Sequence, residues 1–168
     1  MHRIAVISDT HNLLRPEVLD IIKTCELILH AGDISRQDIL DTLQDLKKVY
    51  AVRGNNDRGG WTADIPCFLD FNLFGCRIYM THIKRNIPDD HGADLVISGH
   101  SHRYSCVQDG DTIYLNPGSC GPRRFNQDIT MAILTIDEEK KAPGSGAAIS
   151  IERIDIPHCI FERIYVPH

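Results

Sequence analysis

The sequence lacks the features that mark membrane, secreted and nucleic-acid-binding proteins. Its apolar runs are far shorter than the roughly 18 to 20 residues that span a bilayer, and Met1 leads into a strand-like segment with no signal-peptide pattern. It has no run rich in Lys and Arg, and its formal net charge is -5, whereas a duplex-binding surface needs clustered cations. We therefore expect a cytoplasmic protein that binds neither membranes nor long nucleic acids.

The cysteines do not form any C-x-x-C pair, which disfavours both a zinc ribbon and a compact disulfide framework. We expect most of these thiols to be buried: Cys25, Cys67, Cys76, Cys106, Cys120 and Cys159. With 168 residues, of which 42% are hydrophobic and 24% charged, the chain has the size and composition of one globular domain. We expect this single domain to span residues 1–168.

The first half of the chain alternates apolar strands with amphipathic helices. Strands are predicted at Ile4–Ile7, Leu27–Leu29 and Val49–Val52. Between them, Pro16–Thr24 predicts a helix with proline in its first turn, and Ser35 is expected to cap a second helix. This βαβαβ order is typical of a parallel sheet, whose ligands lie beyond the carboxyl ends of the strands.

The second half has the pattern of antiparallel hairpins. Apolar and polar residues alternate on both sides of Gly75, and two further short strands flank Asp109-Gly110. Two longer strands, 129–136 and 148–154, are joined by the polar segment 137–146, which contains a Pro-Gly turn. The chain therefore combines a parallel half with a hairpin-rich half.

Polar donor side chains come just after the predicted strands. The seven donors are Asp9, His11, Asp33, Asn55, His82, His100 and His102. If the strands share one sheet edge, these side chains converge there. Two carboxylates, four imidazoles and one amide oxygen are too many for one tetrahedral ion but enough for two divalent ions, with one aspartate bridging both. The absence of a thiolate suits Mn, Fe, Co, Ni or Zn.

The charge of such a centre indicates its chemistry. Two carboxylates leave a pair of dications with about two units of uncompensated positive charge, which favours a bridging hydroxide and an anionic ester substrate. The donor set therefore predicts phosphoryl transfer. A purely structural metal site is disfavoured, because structural zinc sites are usually closed and rich in cysteine.

Five motifs occur in a fixed order, "SDTH", "AGD", "VRGNND", "THI" and "SGHSH". In this order they resemble the calcineurin-like metallophosphoesterases, especially the small single-domain prokaryotic phosphodiesterases. The resemblance implies an α/β fold, a four-layer α/β/β/α sandwich of two mixed sheets with helices outside. It also implies a phosphodiesterase that uses two divalent ions, manganese first, with Fe, Ni, Co or Zn as alternatives.

The resemblance also distributes the donors between two ions. The first ion would be held by Asp9, His11, Asp33 and His102. The second would be held by Asp33, Asn55, His82 and His100, with Asp33 as the bridge. The two histidines of "SGHSH" would thus serve different metals.

The third motif departs from the family pattern. Many members have G-N-H-D or G-N-H-E, with the histidine protonating the leaving group, but this chain has Asn56 followed by Asp57. We take these two residues as the catalytic candidates. The amide of Asn56 can donate a hydrogen bond to a phosphoryl oxygen but cannot supply a proton, so esters with good leaving groups should react best.

The residues at the rim of the site also differ from the family pattern. Ile83 replaces a common glycine, and the segment 83–93 is shorter than usual, which predicts a more open rim. Arg123 and Arg124, on the loop after Ser119, and Arg58 either contact the substrate or face solvent. Of the other histidines, His30 is expected to pack inside the fold, and His91 to be exposed.

Other functions stay open at this point. A relative in the retromer sorting coat uses the same architecture for protein contacts, so a protein-interaction scaffold is the main alternative. Within the enzyme class, a phosphomonoesterase or a cyclic-nucleotide phosphodiesterase is less favoured because of Asn56. The expected ligand is a small phosphoester, and a homodimer or homotetramer is compatible with the sequence.

Overall fold

Ten strands and two α-helices make up the fold in the computed structural model, which describes residues 1–141 and 147–157. In chain order the elements are β1 (His2–Ile7), α1 (Pro16–Lys23), β2 (Leu27–His30), α2 (Gln37–Leu46), β3 (Lys48–Ala51), β4 (Phe68–Leu73), β5 (Cys76–Thr81), β6 (Leu95–Ile97), β7 (Tyr104–Asp109), β8 (Thr112–Pro117), β9 (Thr130–Lys141) and β10 (Ala147–Asp155). Single 3-10 turns occur at Gly60–Thr62 and Lys84–Asn86.

The strands form two mixed five-stranded sheets. The first has the order β10-β9-β1-β2-β3, with β1, β2 and β3 parallel as the βαβαβ pattern predicts and β9 antiparallel to β1. The second has the order β4-β5-β6-β8-β7, in which the β5-β6 and β6-β8 pairs are parallel and the outer pairs antiparallel. The predicted fold class is confirmed.

The core lies mainly between the two sheets, and β1 shows how the sequence produces it. Successive residues of a strand point to opposite faces. Ile4 and Val6 therefore enter the cluster between the sheets, whereas Ala5 and Ile7 enter the cluster under the helices. Because both faces are covered, the strand is apolar throughout, and all four side chains are fully buried.

The outer layers differ from each other. Helix α1, with Pro16 in its first turn, and helix α2 supply the buried residues Val18, Ile22 and Leu43 to the helix-side cluster. The outside of the second sheet is covered instead by the segment 83–93, which holds only the 3-10 turn at Lys84–Asn86 in place of a regular helix. The shortened segment predicted from the sequence therefore makes this layer thin.

Three local predictions need correction. Ser35 does not cap α2, because the residue before the helix is Arg36 and no side chain caps it. Strand β9 continues to Lys141, so much of the predicted polar loop is strand, and its Pro143-Gly144 turn lies outside the described residues. His91 is buried rather than exposed.

The thiols are less uniformly buried than predicted. Cys25, Cys76 and Cys120 are buried, but Cys67 and Cys106 are exposed, and Cys159 lies outside the described residues. Burial raises the pKa of both Cys76 and Cys120 to about 12, so these two thiols stay protonated at neutral pH. Within the described ranges, neither helix is long and apolar enough to cross a membrane.

Candidate metal centre

The two sheets bring the seven predicted donors to one edge of the fold. From the first sheet, Asp9 and Asp33 follow β1 and β2, and Asn55 follows β3. From the second sheet, His82 follows β5, and the "SGHSH" segment follows β6. Each parallel strand ends at this edge, and the distances below show that side chains far apart in sequence meet there.

The first group of donors consists of Asp9, His11 and His102, all buried. One ligand atom from each lies within 4.8 Å of the others. Nε2 of His11 lies 3.4 Å from Nε2 of His102, and that second nitrogen lies 3.2 Å from Oδ1 of Asp9. Two ring nitrogens and a carboxylate oxygen thus face one small space.

The second group centres on Asp9, Asp33 and His82, which satisfy the same 4.8 Å criterion. Nε2 of His82 lies 3.4 Å from Oδ2 of Asp33. Oδ1 of Asn55 lies 3.1 Å from that nitrogen and 3.1 Å from Nδ1 of His100. The amide oxygen therefore joins both histidines of the second sheet to this group.

The residues fit the binding of a divalent cation. Oδ1 of Asp9 is buried and has no hydrogen-bond partner within residues 1–141 and 147–157. A buried carboxylate oxygen without a partner is costly, and a cation would compensate it. Asp9 is common to both groups, while Oδ2 of Asp33, the predicted bridge, lies 3.9 Å from Nε2 of His11 and 3.4 Å from Nε2 of His82. Both aspartates therefore face both groups.

The carboxylates are held in their charged form. Burial tends to raise the pKa of Asp33, but hydrogen bonds from His82 and Asn56 outweigh it, so the pKa lies well below its ordinary value. Burial likewise opposes the effect of His102 and His82 on Asp9, whose pKa is also lowered. The pKa of His11 is lowered by burial and by the charge of Arg124, which favours the neutral, metal-binding ring.

The backbone at this edge is unusual. Five of the seven donors adopt the left-handed conformation that non-glycine residues rarely take, with φ between 47° and 72°: Asp9, His11, Asp33, His100 and His102. Such residues tend to cluster at functional sites, where the surrounding fold maintains the strain.

Neighbouring groups fix the orientation of the donors. Nδ1 of His82 lies 2.7 Å from the carbonyl oxygen of Ala31, so Nδ1 carries a proton, and Nε2, which faces the carboxylates, is the nitrogen that would bind a metal once it has lost its own proton. Nδ1 of His11 lies 3.1 Å from the hydroxyl of Ser35. The hydroxyl of Ser8 donates to Oδ2 of Asp9 over 2.6 Å. Ser35, predicted as a helix cap, thus positions a donor instead.

The two catalytic candidates have different surroundings from those predicted. Asp57 is buried, and its carboxylate accepts hydrogen bonds from the backbone N–H groups of Asp33, Ser35 and Gly54. It therefore fixes the loops that carry the donors, and a catalytic role for it stays a prediction. The amide of Asn56 donates to Oδ2 of Asp33 at 2.8 Å, not toward open space.

The three predicted substrate arginines separate. Arg123 donates to the carbonyl oxygens of Gln127 and Asn126, so it stabilises its own loop, and its contact with a substrate stays a prediction. Arg124 is exposed and close enough to His11 to lower the pKa of that ring. Arg58 is exposed beyond the third motif.

A cleft next to the donors was missed by the sequence analysis. It has a volume of about 530 Å³ and shares Asn55 and His100 with the second donor group. Lys84, Arg85 and Arg103 also line it. Lys84 and Arg85, which follow "THI" directly, are the sequence signal from which this cleft could have been predicted.

Known proteins are similar to this chain in sequence and in fold. Residues 2–139 match the family model described as "Calcineurin-like phosphoesterase superfamily domain". A probable metallophosphoesterase of Methanothermobacter thermautotrophicus is 38% identical over 152 residues, which cover 82% of this chain and 87% of that protein.

Two solved structures share the fold. One, from work on a novel archaeal phosphodiesterase, has a TM-score of 0.69 at 24% identity and covers 92% of this chain and 99% of that chain. The other is wild-type Vps29 from Entamoeba histolytica with zinc bound. Its TM-score is 0.68 at 23% identity, covering 91% of this chain and 98% of that chain.

Proposed function

We propose a function from the premise that this chain belongs to the calcineurin-like phosphoesterase superfamily: it is a metal-dependent phosphodiesterase that hydrolyses small phosphodiesters at a centre for two divalent ions. The family supports a phosphoesterase hydrolase, and the choice of diesters and of two ions is our proposal. The observation that carries it is the convergence of Asp9, His11, Asp33, His82 and His102, with Asn55 and His100 within hydrogen-bond distance of this group and a buried oxygen of Asp9 that has no hydrogen-bond partner among the described residues.

The seven donors would be divided between two metal ions. When bound, two divalent ions would supply a nucleophile from water at neutral pH and neutralise charge on the phosphoryl oxygens. Asp9, His11, Asp33 and His102 would hold one ion, and Asp33, Asn55, His82 and His100 the other. We propose manganese as the native metal, because oxygen and nitrogen donors without a thiolate suit it, with Fe, Ni, Co and Zn as alternatives.

The groups around the donors would keep the site ready for reaction. The low pKa values of Asp9 and Asp33 keep both carboxylates charged, and burial excludes competing water from them. Arg124 adds positive charge on the side of His11 and is the arginine that we propose to face an anionic substrate. Asn56 cannot supply a proton to the leaving group, so an ester whose leaving group needs little protonation should react fastest.

A protein-interaction scaffold is the second candidate, because the fold is shared with Vps29. Metal binding alone does not separate the two, since a Vps29 structure also contains zinc. The donor set favours hydrolysis, because protein contacts do not require three buried imidazoles and two buried carboxylates grouped together. We further propose a small-molecule phosphoester as ligand, and a cytoplasmic location.

The test is hydrolysis of bis(4-nitrophenyl) phosphate with Mn²⁺, together with analysis of bound metal. Asp33→Asn keeps the size of the side chain but removes its charge, and we expect at least about a hundredfold loss of kcat/KM. The matched control is Asp38→Asn at an exposed position of α2, which should leave the rate unchanged. Equal rates for Asp33→Asn and the unsubstituted protein would contradict the proposal.

A further inference from the structure

The cleft beside the second donor group carries cations that are not neutralised. Lys84, Arg85 and Arg103 are exposed, and in the described part of the chain none of them has a carboxylate within ion-pair distance. None of the described residues that line the cleft is Asp or Glu. In a chain whose formal net charge is -5, this is a local excess of positive charge beside the proposed site of hydrolysis.

The lining also has an apolar and aromatic part, beside the polar side chains of Ser98, Ser101, Ser105 and Asn116. Ile83 and Ile87 come from the short segment outside the second sheet, and Tyr114 and Leu115 come from β8. That segment, which lacks a regular helix, and β8 both line the cleft. The volume of about 530 Å³ is in the range that holds a drug-sized or nucleotide-sized ligand.

Tyr114 is oriented by a buried histidine. The backbone N–H of Ala93 donates to Nδ1 of His91 over 2.9 Å, so that nitrogen is an acceptor and the ring proton of neutral His91 is on Nε2. Nε2 lies 3.0 Å from the hydroxyl oxygen of Tyr114 and donates to it. The hydroxyl's own hydrogen has no acceptor in residues 1–141 and 147–157 and is available to a ligand. This network also explains the burial of His91.

We propose that this cleft binds one ester arm of the substrate, and that the preferred arm carries a ring and a second phosphate. The inference rests on the proposed function, because the scissile phosphate would lie at the donor groups while the arm extends past Asn55 and His100. The apolar side chains contact the ring, and Lys84, Arg85 and Arg103 bind the second phosphate. A phosphodiester of a nucleoside bisphosphate has this chemistry.

Binding of two matched nucleotides tests the proposal. Thymidine 3′,5′-bisphosphate and thymidine 5′-phosphate differ only in the second phosphate, and calorimetry gives Kd for each. We expect the bisphosphate to bind about tenfold more tightly, because several exposed charge pairs act together. The preference should fall below about twofold in Lys84→Met/Arg85→Met/Arg103→Met and stay unchanged in the control Lys23→Met, an exposed lysine on α1. Equal Kd values in the unsubstituted protein, or a preference that survives in the triple variant, would overturn it.

A second pair of measurements separates this proposal from the proposed function. The 4-nitrophenyl esters of the same two nucleotides, joined at the 5′-phosphate, report kcat/KM with Mn²⁺ present. If both esters are hydrolysed at equal rates and both nucleotides bind equally, the proposed role of the cleft is overturned while the proposed function stands. If the bisphosphate binds more tightly, this preference depends on Lys84, Arg85 and Arg103, and no diester is hydrolysed, the proposed function is overturned and the role of the cleft in phosphate binding is supported. In the unsubstituted protein, raising the salt concentration should also remove the preference for the bisphosphate. This measurement tests the proposal even if the triple variant does not fold.

Discussion

Asn56 donates two hydrogen bonds to Asp33, one from its backbone N–H to Oδ1 and one from its side-chain amide to Oδ2, each 2.8 Å long. The residue that stands where relatives carry an acid is therefore bound to the aspartate that we propose as the bridge. Both bonds favour the charged carboxylate and contribute to its low pKa. In this chain the position supports a donor rather than offering a proton.

Restoring the acid should change which esters react. Asn56→His is expected to increase kcat/KM for poor leaving groups by about 10²-fold while changing the activated nitrophenyl diester little, because protonation matters only where the departing oxygen is basic. A series of aryl diesters of graded leaving-group pKa measures this as a change in slope. Asn56→Ala is the control, since it removes the same hydrogen bond without adding an acid. A uniform effect of the histidine across the series would count against the missing-acid interpretation.

Ser35 should matter for metal affinity rather than for helix stability. Its hydroxyl holds Nδ1 of His11, and loss of such a supporting contact typically weakens metal binding by about 10- to 100-fold. Ser35→Ala should therefore raise the Kd for Mn²⁺ measured by competition with a chelator. Thr42→Ala on α2, whose hydroxyl bonds only to a carbonyl of its own helix, is the matched control. Unchanged affinity in Ser35→Ala would show that His11 is held without the serine.

Gly99 is required by close packing beside Asp9. A Cβ atom at this position would contact the hydroxyl of Ser8 and lie 2.9 Å from Oδ2 of Asp9. Gly99→Ala should lower the free energy of unfolding by about 1 to 3 kcal/mol and weaken metal binding. Gly60→Ala, where a Cβ atom would meet nothing within 4 Å, should be neutral. Chemical denaturation of the two variants gives the comparison, and equal stabilities would contradict it.

His30 should make stability fall in mild acid. The ring is fully buried, hydrogen-bonded to Thr10 and to the N–H of Gly32, and burial lowers its pKa from 6.5 to about 4. Between those values the unfolded chain binds a proton that the folded chain does not, so stability is complete above pH 6.5 and decreases toward pH 4. The loss amounts to about 3 kcal/mol.

The check is denaturation at several pH values with a chelator present, for the unsubstituted protein and for His30→Asn. Asparagine can accept the hydrogen bond from Gly32 but does not titrate, so the slope of stability against pH should be smaller in the variant. Equal slopes in the two proteins would exclude His30 as the cause.

The sequence predicted what depends on local pattern. The donors at strand ends were found because apolar runs reveal strands, and parallel strands end at one edge of a sheet. The exposure of His91 and the capping role of Ser35 were predicted wrongly, and the hydrogen bonds of Arg123 within its own loop were not predicted. Each of these depends on where a loop packs in three dimensions. The local sequence of a turn rich in polar residues does not indicate how that turn packs.

The donors are divided between the sheets. Asp9, His11, Asp33 and Asn55 follow strands of the first, whereas His82, His100 and His102 follow strands of the second. A cation seated among them would join the two halves of the molecule, so separating the sheets would require releasing it. The melting temperature should then increase with the logarithm of free metal concentration, and amide exchange should slow together in β1 and β6, although neither strand touches the ion.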